Sequence, residues 1–204
     1  DTFHPAMPRY NFLIKQVQRY RKQNSKILNI GIGLGIIEEK LSQLLFDVYS
    51  LDPSEIAVAG LIKKGIKAKT GLIENQPFES NFFDLVLISE VIEHIPKDNL
   101  NKSVSEIYRV LKKDGILLVT VPFNENLIDN VTICPECGHN FHRWGHHNSF
   151  THKNILALFT NRFEIIKIKT ISFPNWTMSI KGLIKGIAKY ILGRFGASIT
   201  TPRI

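Results

Sequence analysis

Short apolar runs alternate with amphipathic segments along most of the chain. The apolar runs predict buried strands of a parallel sheet, because such strands are covered by helices on both faces. The amphipathic segments repeat their apolar residues at intervals of three and four, which predicts helices. The predicted strands are 27–32, 46–51, 66–70, 84–89, 115–122 and 163–171, and the predicted helices are 9–22, 36–45, 54–64, 99–112 and 152–160. This alternation predicts a doubly wound α/β fold.

A glycine-rich turn follows the first predicted strand. Gly31, Gly33 and Gly35 allow a tight turn in which a cofactor can lie directly on main-chain N–H groups. Asp52 ends the second predicted strand, where its carboxylate can accept hydrogen bonds from both hydroxyls of a ribose. Ile36 stands where a dinucleotide fingerprint needs its third small residue. These residues predict a cofactor of the adenosine type, with a glycine spacing that differs from the dinucleotide fingerprint.

The glycine spacing resembles the first motif of class I S-adenosylmethionine-dependent methyltransferases. The resemblance continues in order, from about residue 10 to about residue 172, through Asp52-Pro53-Ser54, residues 72–78 and 83–87, Ser89 to Ile95, and residues 108–122. It implies a single methyltransferase domain over 1–204 with a Rossmann-like, mostly parallel seven-stranded sheet and helices on both faces. The family ends its sheet with an antiparallel hairpin, for which 197–204 would have to supply the last strand.

The resemblance also implies which residues bind S-adenosylmethionine. The turn would approach the cofactor by its backbone, Asp52 would hold the ribose, residues 72 and 73 would flank the adenine, and Ser89 would lie near the methionine moiety. The implied set is Asn29, Gly31, Ile32, Gly33, Asp52, Pro53, Leu72, Ile73 and Ser89. Asn29 and Leu72 replace residues that are usually acidic in the family, and each lost hydrogen bond is expected to weaken binding by about 1 kcal/mol.

A second motif, Glu90-x-x-Glu93-His94, follows the fourth predicted strand. It is similar to the Glu-x-x-Glu-His of ubiquinone-pathway O-methyltransferases and of small-RNA 2′-O-methyltransferases, which implies a divalent cation, with His146 as the best-placed further ligand. Such a cation lowers the pKa of a hydroxyl nucleophile. The alternative is that Glu90, Glu93 and His94 line the pocket without a metal and that His94 or Glu90 acts as a general base. Either interpretation makes these three residues the catalytic candidates.

An insertion over 123–149 carries Cys134-Pro-Glu-Cys137-Gly138 followed by His142 and His146. This spacing predicts a structural Zn²⁺ site of two cysteines and two histidines, since a Cys-x-x-Cys turn directs two thiolates to one point. Bound zinc would help to fold an insertion that has little core of its own. Free thiols on a polar loop are the alternative. His146 cannot serve both this zinc and the cation at Glu93, and the adjacent His147 is the alternative fourth zinc ligand.

Composition sets the broad class of the protein. The 204 residues are 44% hydrophobic and 22% charged, which predicts one soluble globular domain. The sequence shows neither a secretory signal pattern nor an uncharged apolar stretch of membrane-spanning length. Because the two cysteines form one Cys-x-x-Cys pair, they indicate a reducing compartment, and we expect a cytoplasmic protein.

Positive charge is concentrated at the carboxyl end. The net charge is +8, and residues 162–204 hold eight Lys or Arg against one acid. Within the basic segment 174–204, residues 178–194 predict an amphipathic helix with three lysines on one face. This helix could cover the substrate pocket or a second subunit, lie on an anionic membrane surface, or contact RNA, although the few aromatic residues disfavour nucleic acid.

Taken together, the motifs predict methyl transfer from S-adenosylmethionine to oxygen on a small-molecule or lipid- or glycan-linked acceptor. The alternative is a catalytically degenerate methyltransferase fold that acts as a zinc-knuckle interaction module, which the substitutions at Asn29 and Leu72 motivate.

Overall fold

The structure, a computed structural model, describes residues 6–173. Helices and strands alternate through most of this range. In chain order they are α1 (Met7–Tyr20), β1 (Lys26–Ile30), α2 (Ile36–Gln43), β2 (Asp47–Asp52), α3 (Glu55–Lys63), β3 (Lys67–Thr70), β4 (Phe83–Ser89), a 3₁₀ turn (Ile92–His94), α4 (Lys97–Val110), β5 (Leu111–Thr120), a 3₁₀ turn (Leu127–Asn130), β6 (Val131–Ile133), β7 (Asn140–His142) and α5 (His152–Phe159).

Five parallel strands form the sheet in the order β3-β2-β1-β4-β5. The order reverses between β1 and β4, and β1 pairs with β2 on one side and with β4 on the other. In open α/β sheets, ligands bind beyond the carboxyl ends of the strands at such a reversal. The glycine turn after β1 and the Glu90–His94 motif after β4 lie at this point.

Each face of the sheet carries its own apolar core. On one face, Leu13 and Val17 of α1 pack with Leu41 of α2 against side chains of β1 and β4. On the other face, α4 packs Val104 and Ile107 against the opposite side of the same strands. The fold is therefore Rossmann-like and mostly parallel, with helices on both faces, as the hydrophobic pattern predicts.

Helix ends follow from local chemistry. Ser54 caps α3 by accepting a hydrogen bond from the Ala57 N–H. Thr151 caps α5 through a reciprocal pair of hydrogen bonds with Asn154, which confirms the predicted start of that helix.

The insertion builds a small antiparallel hairpin of β6 and β7. Val131 pairs with His142, and Ile133 pairs with Asn140, so the Cys-x-x-Cys segment occupies the tip. Several large apolar side chains of the insertion are exposed, among them Ile128, Ile133 and Trp144. The hairpin therefore lies outside both cores.

The predicted strand 163–171 is not formed. A strand needs a hydrogen-bonded neighbour, and a cavity of about 840 Å³ lies between β5 and residues 162–168. Within 6–173 the main sheet thus has five strands rather than seven. The predicted final strand at 197–204 and the amphipathic segment at 178–194 lie outside the described residues. Among helices of the described range, none combines the length and apolar character needed to cross a bilayer.

Candidate functional site

The glycine turn adopts backbone conformations that favour glycine. Gly31, Gly33 and Gly35 have φ of +89°, +56° and +75°. A Cβ on Gly31 would come within 2.5 Å of the Val91 side chain, and one on Gly35 within 2.9 Å of Leu61. Gly33 has open space around its α-carbon. The turn is therefore packed at both ends and open in the middle, where a ligand can approach the backbone.

Asp52 links this turn to the start of α3. Its carboxylate accepts hydrogen bonds from the Ile32 N–H at 2.8 Å and from the Ser54 N–H at 2.8 Å. These contacts hold the carboxylate beside the turn, where the sequence predicts a ribose partner. Pro53 lies between Asp52 and the helix cap, on the exposed surface.

The two residues predicted to flank the adenine have different environments. Leu72 is 53% exposed in the loop after β3, whereas Ile73 is buried and packs in the core on the α4 face of the sheet. The exposed leucine is the one whose side chain is available to a ring placed in the crevice.

Ser89 and Glu90 end β4 in a polar cluster. The Ser89 and Thr120 hydroxyls lie 2.9 Å apart, and Thr120 donates to the Glu90 carboxylate at 3.0 Å. The other oxygen of Glu90 pairs with the Arg9 guanidinium at 3.0 Å. Arg9 thus brings α1 to the carboxyl end of the sheet. Its contribution was missed by the sequence analysis, because nothing in the pattern of α1 marks one arginine among its basic residues.

Glu93 is a buried carboxylate without a partner in the described range. The residue is 1% exposed, and neither carboxylate oxygen has a hydrogen-bond partner. Desolvation, with a smaller contribution from the nearby Glu90, raises the pKa of Glu93 to about 8. A buried ionised carboxylate without a partner is costly, so Glu93 is protonated near pH 7 unless a cation binds beside it.

His94 and His146 lie together beside Glu93. Their ring centroids are 4.8 Å apart in an edge-to-face arrangement. The His94 Nδ1 lies 3.2 Å from the Gly145 carbonyl, and the His146 Nδ1 lies 2.5 Å from the Glu125 carboxylate. Since a carbonyl and a carboxylate only accept, both Nδ1 atoms carry hydrogen, and each Nε2 keeps its lone pair in the neutral ring.

These contacts define a candidate metal centre. The ligand atoms of Glu93, His94 and His146 lie within 4.8 Å of one another. Glu90, which the sequence groups with them, is not in this set and pairs with Arg9 instead. Partial desolvation lowers the pKa of His94, and His146 lowers it further, so the ring favours the neutral form that binds metals.

A second group, made of Glu125, His142 and His146, is also within 4.8 Å. His142 accepts hydrogen bonds at its Nδ1 from the N–H groups of His146, at 3.0 Å, and Trp144, at 3.3 Å. Its neutral ring therefore carries the proton on Nε2, which leaves no lone pair there for a metal. The donor chemistry favours the Glu93 group. Glu125 has no motif around it, and only the fold reveals its contact with His146.

Asn148 fastens the insertion to the turn after β4. Its amide donates to the carbonyls of Ile92 at 3.4 Å and Ile95 at 2.6 Å, and the Glu93 carbonyl accepts from the His147 and Asn148 N–H groups. These bonds bring His146 to His94.

The predicted site of two cysteines and two histidines is not assembled among residues 6–173. The hairpin register places His142 opposite Val131, three residues from Cys134, which corresponds to about 10 Å along the strand. Neither candidate metal group includes Cys134 or Cys137. The two cysteines form a turn of their own, where the N–H groups of Cys137 and Glu136 lower the pKa of the Cys134 thiol.

Comparison with known proteins gives matches for the part of the chain that carries the glycine turn and the Glu93–His94 turn. Residues 28–119 match the family model described as a methyltransferase domain. The ubiquinone biosynthesis O-methyltransferase of Mus musculus is 34% identical over 105 residues, covering 47% of this chain and 28% of that protein. The ubiquinone/menaquinone biosynthesis C-methyltransferase of Campylobacter jejuni is 31% identical over 109 residues, covering 49% and 46%. The chain thus spans less than half the length of either relative.

A solved structure shows the same fold. The chain resembles a SAM-dependent methyltransferase from Methanosarcina mazei with a TM-score of 0.60 and 20% identity, covering 72% of this chain and 82% of that one.

Proposed function

We propose that this chain transfers a methyl group to an oxygen atom of its acceptor. Its residues 28–119 match the methyltransferase domain, which assigns this part of the chain to the class I S-adenosylmethionine-dependent methyltransferases. The relatives include both O- and C-methyltransferases. The observation that favours oxygen is the grouping of Glu93, His94 and His146 at the carboxyl end of β4. A hydroxyl needs help in losing its proton, and Glu93 and His94 of this group lie within four residues of Glu90, beside which we place the acceptor.

The residues around the glycine turn suit the cofactor. Gly33 leaves open space at the backbone, and Asp52 presents a carboxylate that two N–H groups already orient. S-adenosylmethionine supplies a methyl group on a sulfonium, so the protein needs to position and desolvate the reactants more than to activate the donor. We assign the ribose to Asp52 and the donor's backbone contacts to residues 31–33.

The Glu93 group suits a divalent cation. Two orphaned carboxylate oxygens and two imidazole lone pairs are the donors that such an ion needs. Bound there, the ion would lower the pKa of an acceptor hydroxyl. Glu93 would supply negative charge to it, while the Gly145 carbonyl and Glu125 hold the two rings in the required tautomers.

The acceptor pocket that we propose lies beside Glu90. A cavity of about 340 Å³ is lined there by Arg9, Phe12, Glu90, Thr120 and Phe123, with further residues of β5, α5 and 168–173. Aromatic walls with a few polar groups fit a small hydroxylated ring. On transfer, the methyl–sulfur bond breaks, a methyl–oxygen bond forms, and the hydroxyl proton passes to the Glu90 carboxylate or to water.

Three finer proposals rest on sequence alone. They are a lipid- or glycan-linked acceptor, contact of 178–194 with a membrane surface in a cytoplasmic protein, and zinc at the cysteine turn. The zinc would need ligands other than His142 and His146. Because the predicted knuckle is split, we favour the enzyme over the interaction module.

The test combines binding and turnover. Calorimetry with S-adenosylhomocysteine should show micromolar binding, and labelled methyl groups should pass to phenolic acceptors in the presence of Mg²⁺, Mn²⁺ or Zn²⁺ but not after chelation. His146→Ala should remove the metal-stimulated rate, and His139→Ala at the exposed hairpin tip is the matched control. Absence of cofactor binding would refute the methyltransferase activity. Equal rates with and without chelator would refute the cation.

A further inference from the structure

A buried carboxylate lies directly beneath the glycine turn. Glu38, in the first turn of α2, is 0% exposed, and Asn29 of β1 beside it is 1% exposed. The Glu38 Oε1 accepts from the Asn29 amide at 2.7 Å and from the Ser50 hydroxyl at 3.2 Å. Its Oε2 has no partner among the described residues. Buried acids are normally paired with a cation, and within 6–173 no salt bridge includes Glu38.

Asn29 connects Glu38 to the glycine turn. The same amide nitrogen donates to the Gly31 carbonyl at 3.1 Å, while the Asn29 Oδ1 is buried and has no partner in the described range. Both neighbours of this nitrogen are acceptors, which fixes the orientation of the amide. The negative charge of Glu38 therefore lies one hydrogen bond from Asn29 and two from the turn that the cofactor contacts.

We propose that Glu38 is a positioning residue for S-adenosylmethionine, which holds Asn29 and the Gly31 carbonyl and supplies the negative charge that the cationic donor needs. S-adenosylmethionine carries an ammonium and a sulfonium against one carboxylate, so its net charge is positive. In a site of low dielectric, a nearby carboxylate stabilises such a ligand more strongly than in water. The N-terminal end of α2 and the two hydrogen-bond donors help to keep this carboxylate ionised. The proposal rests on the proposed function and concerns its cofactor side.

Ser50 completes the arrangement from the neighbouring strand. It pairs with Asn29 in the register of β1 and β2 and is fully buried. The carboxylate is thus held from two adjacent strands. Desolvation raises the pKa of Glu38, and the nearby Asp52 also raises it, whereas Asn29 and Ser50 lower it.

An exchange of charge between the two residues tests the proposal. Glu38→Gln keeps the size and a hydrogen-bond acceptor but removes the charge, and we expect about tenfold weaker binding of S-adenosylmethionine by calorimetry. Asn29→Asp with Glu38→Gln returns one carboxylate to the pair, with the glutamine amide as its donor, and should restore most of that loss. Glu39→Gln is the matched control, because Glu39 is on the same helix and pairs outward with Lys64.

The outcomes separate the two proposals. If the unchanged protein fails to bind S-adenosylmethionine, the proposed function is wrong. If it binds and Glu38→Gln binds equally well, only the role of Glu38 is refuted. If Glu38→Gln weakens binding but the double variant does not recover it, the effect is one of packing and the role of charge is refuted. Melting temperatures of all variants identify any that do not fold.

Discussion

The cofactor side and the acceptor side of this molecule are built differently. The cofactor side consists of turns that leave β1, β2 and β4 directly, so buried strands on both sides position its residues. The acceptor side combines the pocket beside Glu90, lined by parts of α1, β5, α5 and 168–173, with the insertion. The hairpin of the insertion exposes apolar side chains, and its attachment to the sheet depends on polar contacts around Glu93 and Asn148. The cofactor-binding residues are therefore positioned by the core, whereas the acceptor side is attached at the surface of the core.

This difference implies different sensitivities to substitution. A change in the cofactor side should affect folding and cofactor binding together, because the same strands do both. A change in the acceptor side should affect turnover and leave the cofactor affinity nearly intact. The four predictions below test this separation.

The largest effect is expected for Gly31→Ala. The new Cβ would lie 2.5 Å from the Val91 side chain, and the φ of +89° at this position is unfavourable for alanine. Steric overlap and backbone strain therefore both destabilise the variant. We expect about 3 kcal/mol lower unfolding free energy and loss of measurable S-adenosylhomocysteine binding. Gly60→Ala in α3, where nothing lies within 4 Å, is the control and should be neutral or stabilising. Normal cofactor binding by Gly31→Ala would contradict the close approach to the turn.

Glu93→Gln should lower turnover about 100-fold on the acceptor side. It removes a carboxylate that is 1% exposed and unpartnered, so the unfolding free energy of the metal-free protein should stay equal or rise by about 1 kcal/mol. Cofactor affinity should not change. The measurements are label transfer and urea unfolding, with Glu55→Gln on the exposed surface of α3 as the control. A loss of both stability and activity would show that Glu93 is structural.

The same division explains what the sequence could predict. The apolar runs predicted the ends of β1 and β4 to within two residues, and the glycine spacing identified the turn after β1. Both signals are local in the sequence. The contact of Glu125 with His146 spans 21 positions and depends on how the insertion folds back, which no spacing encodes. The Cys-x-x-Cys spacing was consistent with a four-ligand site, but the hairpin register separated its two halves. Similarly, the alternation in 163–171 predicted a strand, but local spacing cannot show whether a neighbouring strand is present, and Ile165, Ile166 and Ile168 are exposed.

Asn148→Ala should slow turnover without changing cofactor affinity, and the loss of turnover should be smaller than for Glu93→Gln. The amide donates to the Ile92 and Ile95 carbonyls, and its loss removes the donor of the Ile95 carbonyl, whereas the Ile92 carbonyl still accepts from the Ile95 N–H. We expect about 2 kcal/mol lower unfolding free energy and roughly tenfold slower turnover as His146 moves away from His94. S-adenosylhomocysteine affinity should stay within twofold. Asn101→Ala on the exposed face of α4 is the control, and a parallel loss of cofactor binding would mean that the insertion also supports the cofactor side.

The smallest effect is expected at Asp84, at the amino end of the sheet, far from both sides of the site. Desolvation alone would raise the pKa of this carboxyl, but hydrogen bonds from Lys112 and from the Lys26 N–H lower it overall. A lowered folded-state pKa gives stability that is present above the ordinary value near 4 and is lost as the pH falls through the folded-state pKa. Asp84→Asn should therefore cost at most about 1 kcal/mol at pH 7, because the pair is partly exposed, and the cost should disappear towards pH 2. Urea unfolding at both pH values measures it, and unchanged cofactor binding is expected at pH 7. A cost that persists in acid would assign the effect to packing instead of charge.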